Sequence, residues 1–209
     1  YIYSLVVSIF IGILFNEIKK DEIKFTIYDK ILTILIGYLL LPLVFSIPFY
    51  LSIYNISFIN SYFEAISGFT STGFTIFKNI KHIDQSLIIW RSTSQWIGGL
   101  YFLCSIITLI DIFDSNFKKS LTNFISFNKS ETLKQISKIF ILYILLTICI
   151  FIILNIINIR TFNSLNLSMT IISSGGFLPT NNLLSILTND TQIIILSLLM
   201  LVSFFSIFL

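Results

Sequence analysis

From Ile136 to Ile159 the chain runs through twenty-four residues with few polar interruptions. That stretch constrains the fold more than any other feature. A helix crossing the hydrocarbon core of a bilayer needs about 20 apolar residues, whereas a transmembrane strand is about half as long and alternates in polarity. Backbone groups inside a bilayer must be satisfied within the segment, so a long unbroken apolar run reads as a spanning helix. Composition agrees: 56% of the residues are hydrophobic, 11% are charged, and mean hydropathy is +0.94. A soluble domain carries nearer ~25% charge and needs a polar exterior. A soluble domain, a disordered chain and a disulfide-rich secreted scaffold are thereby excluded. An all-α membrane protein is expected.

Five apolar spans can be read: Tyr1–Phe15, Ile31–Tyr54, Ser86–Phe113, Ile136–Ile159 and Thr191–Leu209. Pro42 and Pro48 fall inside the second, where a kink is expected. The first begins on Tyr and the last stops without a polar flank, so the chain reads as a fragment of a longer protein. Cys104 and Cys149 lie within apolar runs and are expected to be small buried hydrophobes. Segment 16–30 holds Lys19, Lys20, Lys24 and Lys30, and segment 114–138 holds Lys118, Lys119, Lys129, Lys134 and Lys138. The other two inter-span segments hold only Lys78, Lys81 and Arg160. Lys and Arg concentrate on the cytoplasmic side, so 16–30 and 114–138 are expected to face the cytoplasm. The organisation follows: 1–15 the end of a spanning helix, 16–30 a cytoplasmic loop, 31–113 a first unit, 114–135 a cytoplasmic linker, and 136–209 a second, truncated unit.

Each unit reads as span, short polar segment, span. The short segments are Ser57–Thr75 and Asn163–Thr180, both rich in Ser, Thr, Asn and Gly. Ile136 follows Ile31 by 105 residues, Gly176 follows Gly73 by 103, and Thr191 follows Ser86 by 105. Both units cross twice in the same sense, which predicts tandem parallel repeats of outer helix, re-entrant pore helix with filter, and inner helix. Each short segment should begin helical and end in a Gly-containing extended run. A cation stripped of water at membrane depth needs oxygen ligands, and an extended backbone can turn its carbonyls to one side. Glycine permits the φ values this demands, Ser and Thr add uncharged hydroxyl oxygens, and a helix C-terminus adds a favourable dipole. The pattern suits a monovalent-cation filter; the alternative is a pair of external turns.

Glu64 lies on the first short helix and Arg91 starts the span that follows it. An ionisable group at such depth needs a partner, so the two either pair and brace the filter from behind or reach to water. Gly98-Gly99 permits close helix packing, a bend or a hinge. Trp90 and Trp96 fit interface anchors. Asp111 and Asp114 read as solvated loop charges, and His82 as a lone external histidine. No nucleotide-binding glycine motif, catalytic triad or metal cluster stands in the sequence, so nothing points to an enzyme, a cofactor or a nucleic-acid partner.

The run Ile66-Ser67-Gly68-Phe69-Thr70-Ser71-Thr72-Gly73-Phe74, followed by Trp90-Arg91-Ser92-x-x-Gln95-Trp96-Ile97-Gly98-Gly99, resembles the TrkH/KtrB family of K+-translocating membrane subunits. Ser173-Ser174-Gly175-Gly176-Phe177-x-Pro179-Thr180 is similar to that family's second filter region, and Ser130-Glu131-Thr132 extends the likeness. The resemblance implies four such units around one pore, of which this chain would supply the first two. It implies Gly73 and Gly176 as central filter glycines. Thr70, Ser71, Thr72 and Phe74 would complete the first quarter, and Ser173, Ser174, Gly175 and Phe177 the second. Glycine at both visible positions favours K+ over Na+. The resemblance also implies a homodimer in the cell membrane of a bacterium, crossing it several times. A cytosolic nucleotide-binding regulatory subunit could touch the basic loop 114–138, which also suits anionic lipid. The competing readings are a cation-coupled secondary carrier, a Na+-permeable member of the same superfamily, and a membrane scaffold that transports nothing.

Overall fold

The structure is a computed structural model that describes residues 1–17, 27–109 and 129–205. Seven α-helices and no strands occur among the described residues: α1 Ile2–Glu17, α2 Ile27–Tyr50, α3 Phe58–Phe69, α4 Gln85–Leu109, α5 Lys129–Ile156, α6 Thr161–Ile172 and α7 Asp190–Phe205. Short 3-10 turns occupy Ile80–His82 and Leu183–Ser185. The cytoplasmic charges expected at Lys19, Lys20, Lys24, Lys118 and Lys119, together with Asp111 and Asp114, lie outside the described residues.

The chain forms two units, Tyr1–Ile66 and Ser67–Leu209. In the first, α1 packs on α2. Helix α2 runs through both Pro42 and Pro48. The Tyr62 hydroxyl donates to the Leu39 carbonyl (3.0 Å), and Tyr50 meets Phe58 edge to face across the turn (6.0 Å). In the second unit, α6 is the hub and packs on α4, α5 and α7. Tyr143, Ile150 and Leu154 from α5, Leu167, Ile171 and Ile172 from α6, and Leu196 and Leu199 from α7 form its apolar core. Gln192 clips the start of α7 in place: its amide donates to the Ile157 carbonyl (2.9 Å) and its oxygen accepts from the Thr188 N–H (2.8 Å).

Outward surfaces are apolar where a soluble protein would be polar. Phe10, Leu32, Ile141, Leu145, Leu198 and Met200 all stand exposed on helices α1, α2, α5 and α7. So extensive an apolar exterior belongs against lipid or other protein. Two helices are long and apolar enough to cross a bilayer, Tyr28–Tyr50 and Ile136–Ile156. Helix α4 has the length, 25 residues, but carries Arg91, Ser92, Ser94 and Gln95, which it turns inward and buries. A polar seam facing protein costs a helix its hydropathy signal without exposing that seam to lipid. Helix α5 starts at Lys129, inside the stretch that composition marks as linker, because charged residues extend a helix readily once it has left the apolar zone. Cys149 is exposed and Cys104 only partly buried, in contrast to the buried setting expected for both. On a lipid-facing helix an apolar run has no need to be interior.

Candidate functional site

The two short segments adopt one local geometry. Helix α3 ends in a Schellman turn: the Thr72 N–H donates to the Ser67 carbonyl (3.0 Å) and the Ser71 N–H to the Gly68 carbonyl (2.9 Å). Helix α6 ends the same way, with Gly175 N–H to the Thr170 carbonyl (2.9 Å) and Ser174 N–H to the Ile171 carbonyl (3.0 Å). Each turn needs one residue in the left-handed region, and in both it is a serine, Ser71 at φ 56° and Ser174 at φ 51°. A hydroxyl on each helix then ties the following residues back. Ser67 Oγ donates to the Phe74 carbonyl (2.6 Å), and Thr170 Oγ1 donates to the Phe177 carbonyl (2.9 Å). Each second residue follows its counterpart by 103 positions, as Thr170 follows Ser67 and Ser174 follows Ser71.

The segments meet at their glycines. A Cβ on Gly73 would fall on the Gly176 backbone, and a Cβ on Gly176 would stand 3.1 Å from the Gly73 Cα. Gly73 also needs its freedom of φ, at 79°. Gly176 has no positive φ; what it needs is space. Thr70, Thr72, Phe74, Ser174 and Gly176 are exposed, Ser71, Gly73 and Gly175 partly so, and Ser173 and Phe177 buried. The Thr70 and Thr72 hydroxyls are hydrogen bonded to each other (2.7 Å).

Helix α4 stands behind both segments. The missing side chain of Gly98 makes room for the Phe69 carbonyl at the end of α3. Gly99 leaves room for Ser173, after the end of α6, and for the Tyr143 hydroxyl of α5. Nearly two turns earlier on α4, Ser92 Oγ donates to Asn166 Oδ1 (2.7 Å), a buried bond between α4 and α6. Trp96 does not act as an anchor at a lipid interface. Its indole N–H donates to Thr147 Oγ1 (2.9 Å), its ring packs on Tyr143 (5.2 Å), and its carbonyl accepts from the Tyr143 hydroxyl (3.0 Å).

Arg91 is 1% exposed, so it does not reach to water. Its guanidinium lies 4.1 Å from the centre of the Phe177 ring and 5.6 Å from that of Phe77, and its Nη1 donates to the Leu178 carbonyl (3.4 Å). It therefore backs the second segment. Gly68 also lies close to Phe177: a Cβ there would come within 2.9 Å of the ring. Glu64 is fully buried within α3, in the first unit. Farther along, Asn181 joins the loops after the two segments, its Oδ1 accepting from the Ile80 N–H (2.6 Å) and its Nδ2 donating to the Lys78 carbonyl (3.3 Å).

The chemistry on offer is that of neutral oxygens. Both short helices end at the segments, so their C-terminal carbonyl dipoles favour positive charge there. Residues 70–74 and 173–177 carry no ionisable side chain. Such a site suits a cation that exchanges water for carbonyl oxygens and must leave again.

No family model matches the chain. It is 29% identical to an uncharacterized cation transporter of Methanocaldococcus jannaschii over 184 residues, 83% of this chain and 37% of the relative. It is 24% identical to the Trk system potassium uptake protein TrkH of Salmonella typhimurium over 172 residues, 78% of this chain and 35% of the relative. The crystal structure of the potassium transporter TrkH from Vibrio parahaemolyticus matches its fold with a TM-score of 0.78 at 17% identity, over 96% of this chain and 41% of that one. The chain is related to TrkH-type potassium transporters. At that identity the solved structure speaks for the fold, and the curated relatives carry the relation in sequence. The chain spans well under half the length of these relatives.

With the TrkH-type fold in view, some residues that hold the segments were not singled out by sequence reasoning. Ser67 and Thr170 sit inside the quoted segments but look like ordinary helix residues. Their mutual offset of 103 was the available signal. Gln95 stood in the quoted Trp90–Gly99 run without a role assigned to it, and Asn166 carried no signal beyond being an amide in largely apolar surroundings. Gln95 is fully buried, and its amide, with its oxygen toward the donors, accepts from the N–H groups of Gly176 (3.3 Å) and Phe177 (2.6 Å).

Proposed function

We propose that the chain supplies two quarters of a channel-like pore through which a membrane protein takes up K+. In this reading 31–113 and 136–209 are tandem parallel units, each an outer helix, a re-entrant short helix with filter segment, and an inner helix. The single observation that carries it is the doubled geometry: two Schellman-ended helices, each tied by a hydroxyl to the residues that follow, brought together at Gly73 and Gly176. Relation to potassium uptake proteins and to a cation transporter supports the cargo. Hydroxyls from Ser67 and Thr170 already bind the Phe74 and Phe177 carbonyls. The ion ligands are therefore assigned to the carbonyls of Ser71, Thr72 and Gly73 and of Ser174, Gly175 and Gly176, with Thr70 and Ser173 at the helix ends. Arg91 supports the second segment by stacking, and Glu64 belongs to the helix leading into the first. Glycine at both central positions favours K+ over Na+. A coupled carrier commonly uses inverted repeats, whereas in this reading the two units share one sense. A homodimer, anionic lipid and a cytosolic nucleotide-binding subunit complete the proposed setting.

The test uses the longer protein that contains this chain, expressed in a strain deficient in K+ uptake. Wild type should restore K+ or Rb+ uptake with little competition from Na+. Gly176→Ser is the gentler probe, because its Cβ meets Gly73 at 3.1 Å, whereas a Cβ on Gly73 lands on the partner backbone. At matched membrane level, Gly176→Ser and Gly73→Ser should both lower discrimination of K+ over Na+, by roughly tenfold for each 1.4 kcal/mol of lost preference. Gly12→Ser, on a helix face with open space around it, should leave it unchanged. Unaltered selectivity with transport intact in both filter variants would show that the ion passes elsewhere.

A further inference from the structure

The amide of Gln95 reaches the second segment from behind. It is buried without exposure, and one orientation of its side chain satisfies both of its ends. In that orientation its oxygen accepts from Gly176 N–H at 3.3 Å and from Phe177 N–H at 2.6 Å. In a trans peptide the N–H and the carbonyl point in opposite directions. The Gly176 N–H shares its peptide plane with the Gly175 carbonyl, and the Phe177 N–H shares its plane with the Gly176 carbonyl. Two N–H groups held toward α4 therefore aim the Gly175 and Gly176 carbonyls away from α4. Gly176 is exposed and Gly175 partly so. The approach depends on Gly175, since a Cβ there would run into the Gln95 amide.

We propose that Gln95 is the positioning residue for the second filter segment: it holds two consecutive peptide planes so that their carbonyls face the ion, and it thereby sets discrimination between K+ and Na+. This rests on the pore reading above. The support passes from α4, the inner helix of the 31–113 repeat, to the filter segment of the 136–209 repeat. It is specific to that place, because the residue 105 positions later on α7 is Met200, which is exposed and offers no amide.

The experiment compares Gln95→Glu, which keeps an acceptor oxygen at similar reach, with Gln95→Met, which fills the space and has no comparable acceptor. Both are made in the full-length protein. Two quantities are read: Na+ competition against K+ uptake at matched membrane level, and hydrogen–deuterium exchange across 173–180 and 67–75 in the purified protein. Gln95→Met should lose protection in 173–180 while 67–75 stays as it was, with discrimination falling about tenfold, as expected for two lost positioning bonds. Gln95→Glu, held protonated in so buried a place, keeps both an acceptor and a donor and should stay within about twofold of wild type. Should Gln95→Met not reach the membrane, Gly175→Ala takes its place: its Cβ displaces the amide, and it must give the same loss. Protection and selectivity both retained in the variant without the acceptor would reduce Gln95 to a space-filler. Protection lost with selectivity unchanged would overturn its role in discrimination. A wild type that takes up no K+ overturns the pore reading itself, and a selective wild type with selective variants overturns only the role of Gln95.

Discussion

Serine in the left-handed region is a costly choice. An L-residue there gives up about 1–2 kcal/mol relative to its preferred conformations, and glycine is the usual occupant of this helix-ending position. Ser71 and Ser174 both accept that cost just after helices α3 and α6, as strained residues at functional sites often do. Compensation comes from neighbours such as Ser67, Thr170 and Gln95, which bind the backbone just beyond. Arg91 compensates differently, through a flat cation laid on the Phe177 ring. Lysine would keep the charge and lose the planar stack and its fixed donor fork. A desolvated cation–π contact contributes about 2 kcal/mol or more, part of which a lysine would keep. Arg91→Lys should therefore cost about 1–2 kcal/mol, read as a lower thermal midpoint in detergent. Equal midpoints would mean that charge alone matters at this position.

At the scale of elements, α4 decides how the second unit holds together. It meets the end of α3 through Gly98 and the end of α6 through Gly99, so adjacent glycines serve different neighbours. A methyl on Gly98 has no room, because the Phe69 carbonyl occupies its place. Backbone cannot swing aside as a flexible side chain does, and overpacking a tight contact costs about 1–3 kcal/mol. Gly98→Ala should lower thermal stability by about that amount. Gly12→Ala, on α1 with nothing within 4 Å, should instead be neutral or gain up to about 1 kcal/mol from helix propensity. Equal tolerance at the two positions would mean that α4 can move off α3 at little cost, as a hinge at Gly98 requires.

For the whole molecule, the expected topology can be tested without reference to transport. If the basic segments 16–30 and 114–138 lie in the cytoplasm, both filter segments enter from the outside. With Cys104 and Cys149 first replaced by alanine, a cysteine at Asn79 should react with an impermeant thiol reagent in intact cells. One at Lys119 should react only after permeabilisation. Asn79 is exposed in the loop after the first segment, so the folded chain itself would not shield it. The reverse pattern of labelling would invert the protein in the membrane and remove the outside entry of both segments.

Much of this was legible in the residue order. The helical, membrane-bound character followed from the apolar run at 136–159. Helices α3 and α6 appeared where short polar segments had been read, because Ser, Thr and Gly interrupt apolar runs at matched spacing. These are local properties, fixed by neighbours a few residues apart. What the tertiary structure alone decided was partnership. It put Arg91 against Phe177 and Leu178, Ser92 against Asn166, and Gln95 against the backbone of Gly176 and Phe177. It also gave equivalent residues different surroundings, leaving Phe74 68% exposed and Phe177 at 1%. Periodicity along one helix tells which face is polar, but not which neighbour that face will meet. That depends on how helices dock, and here docking is set by places where a missing Cβ lets one backbone approach another.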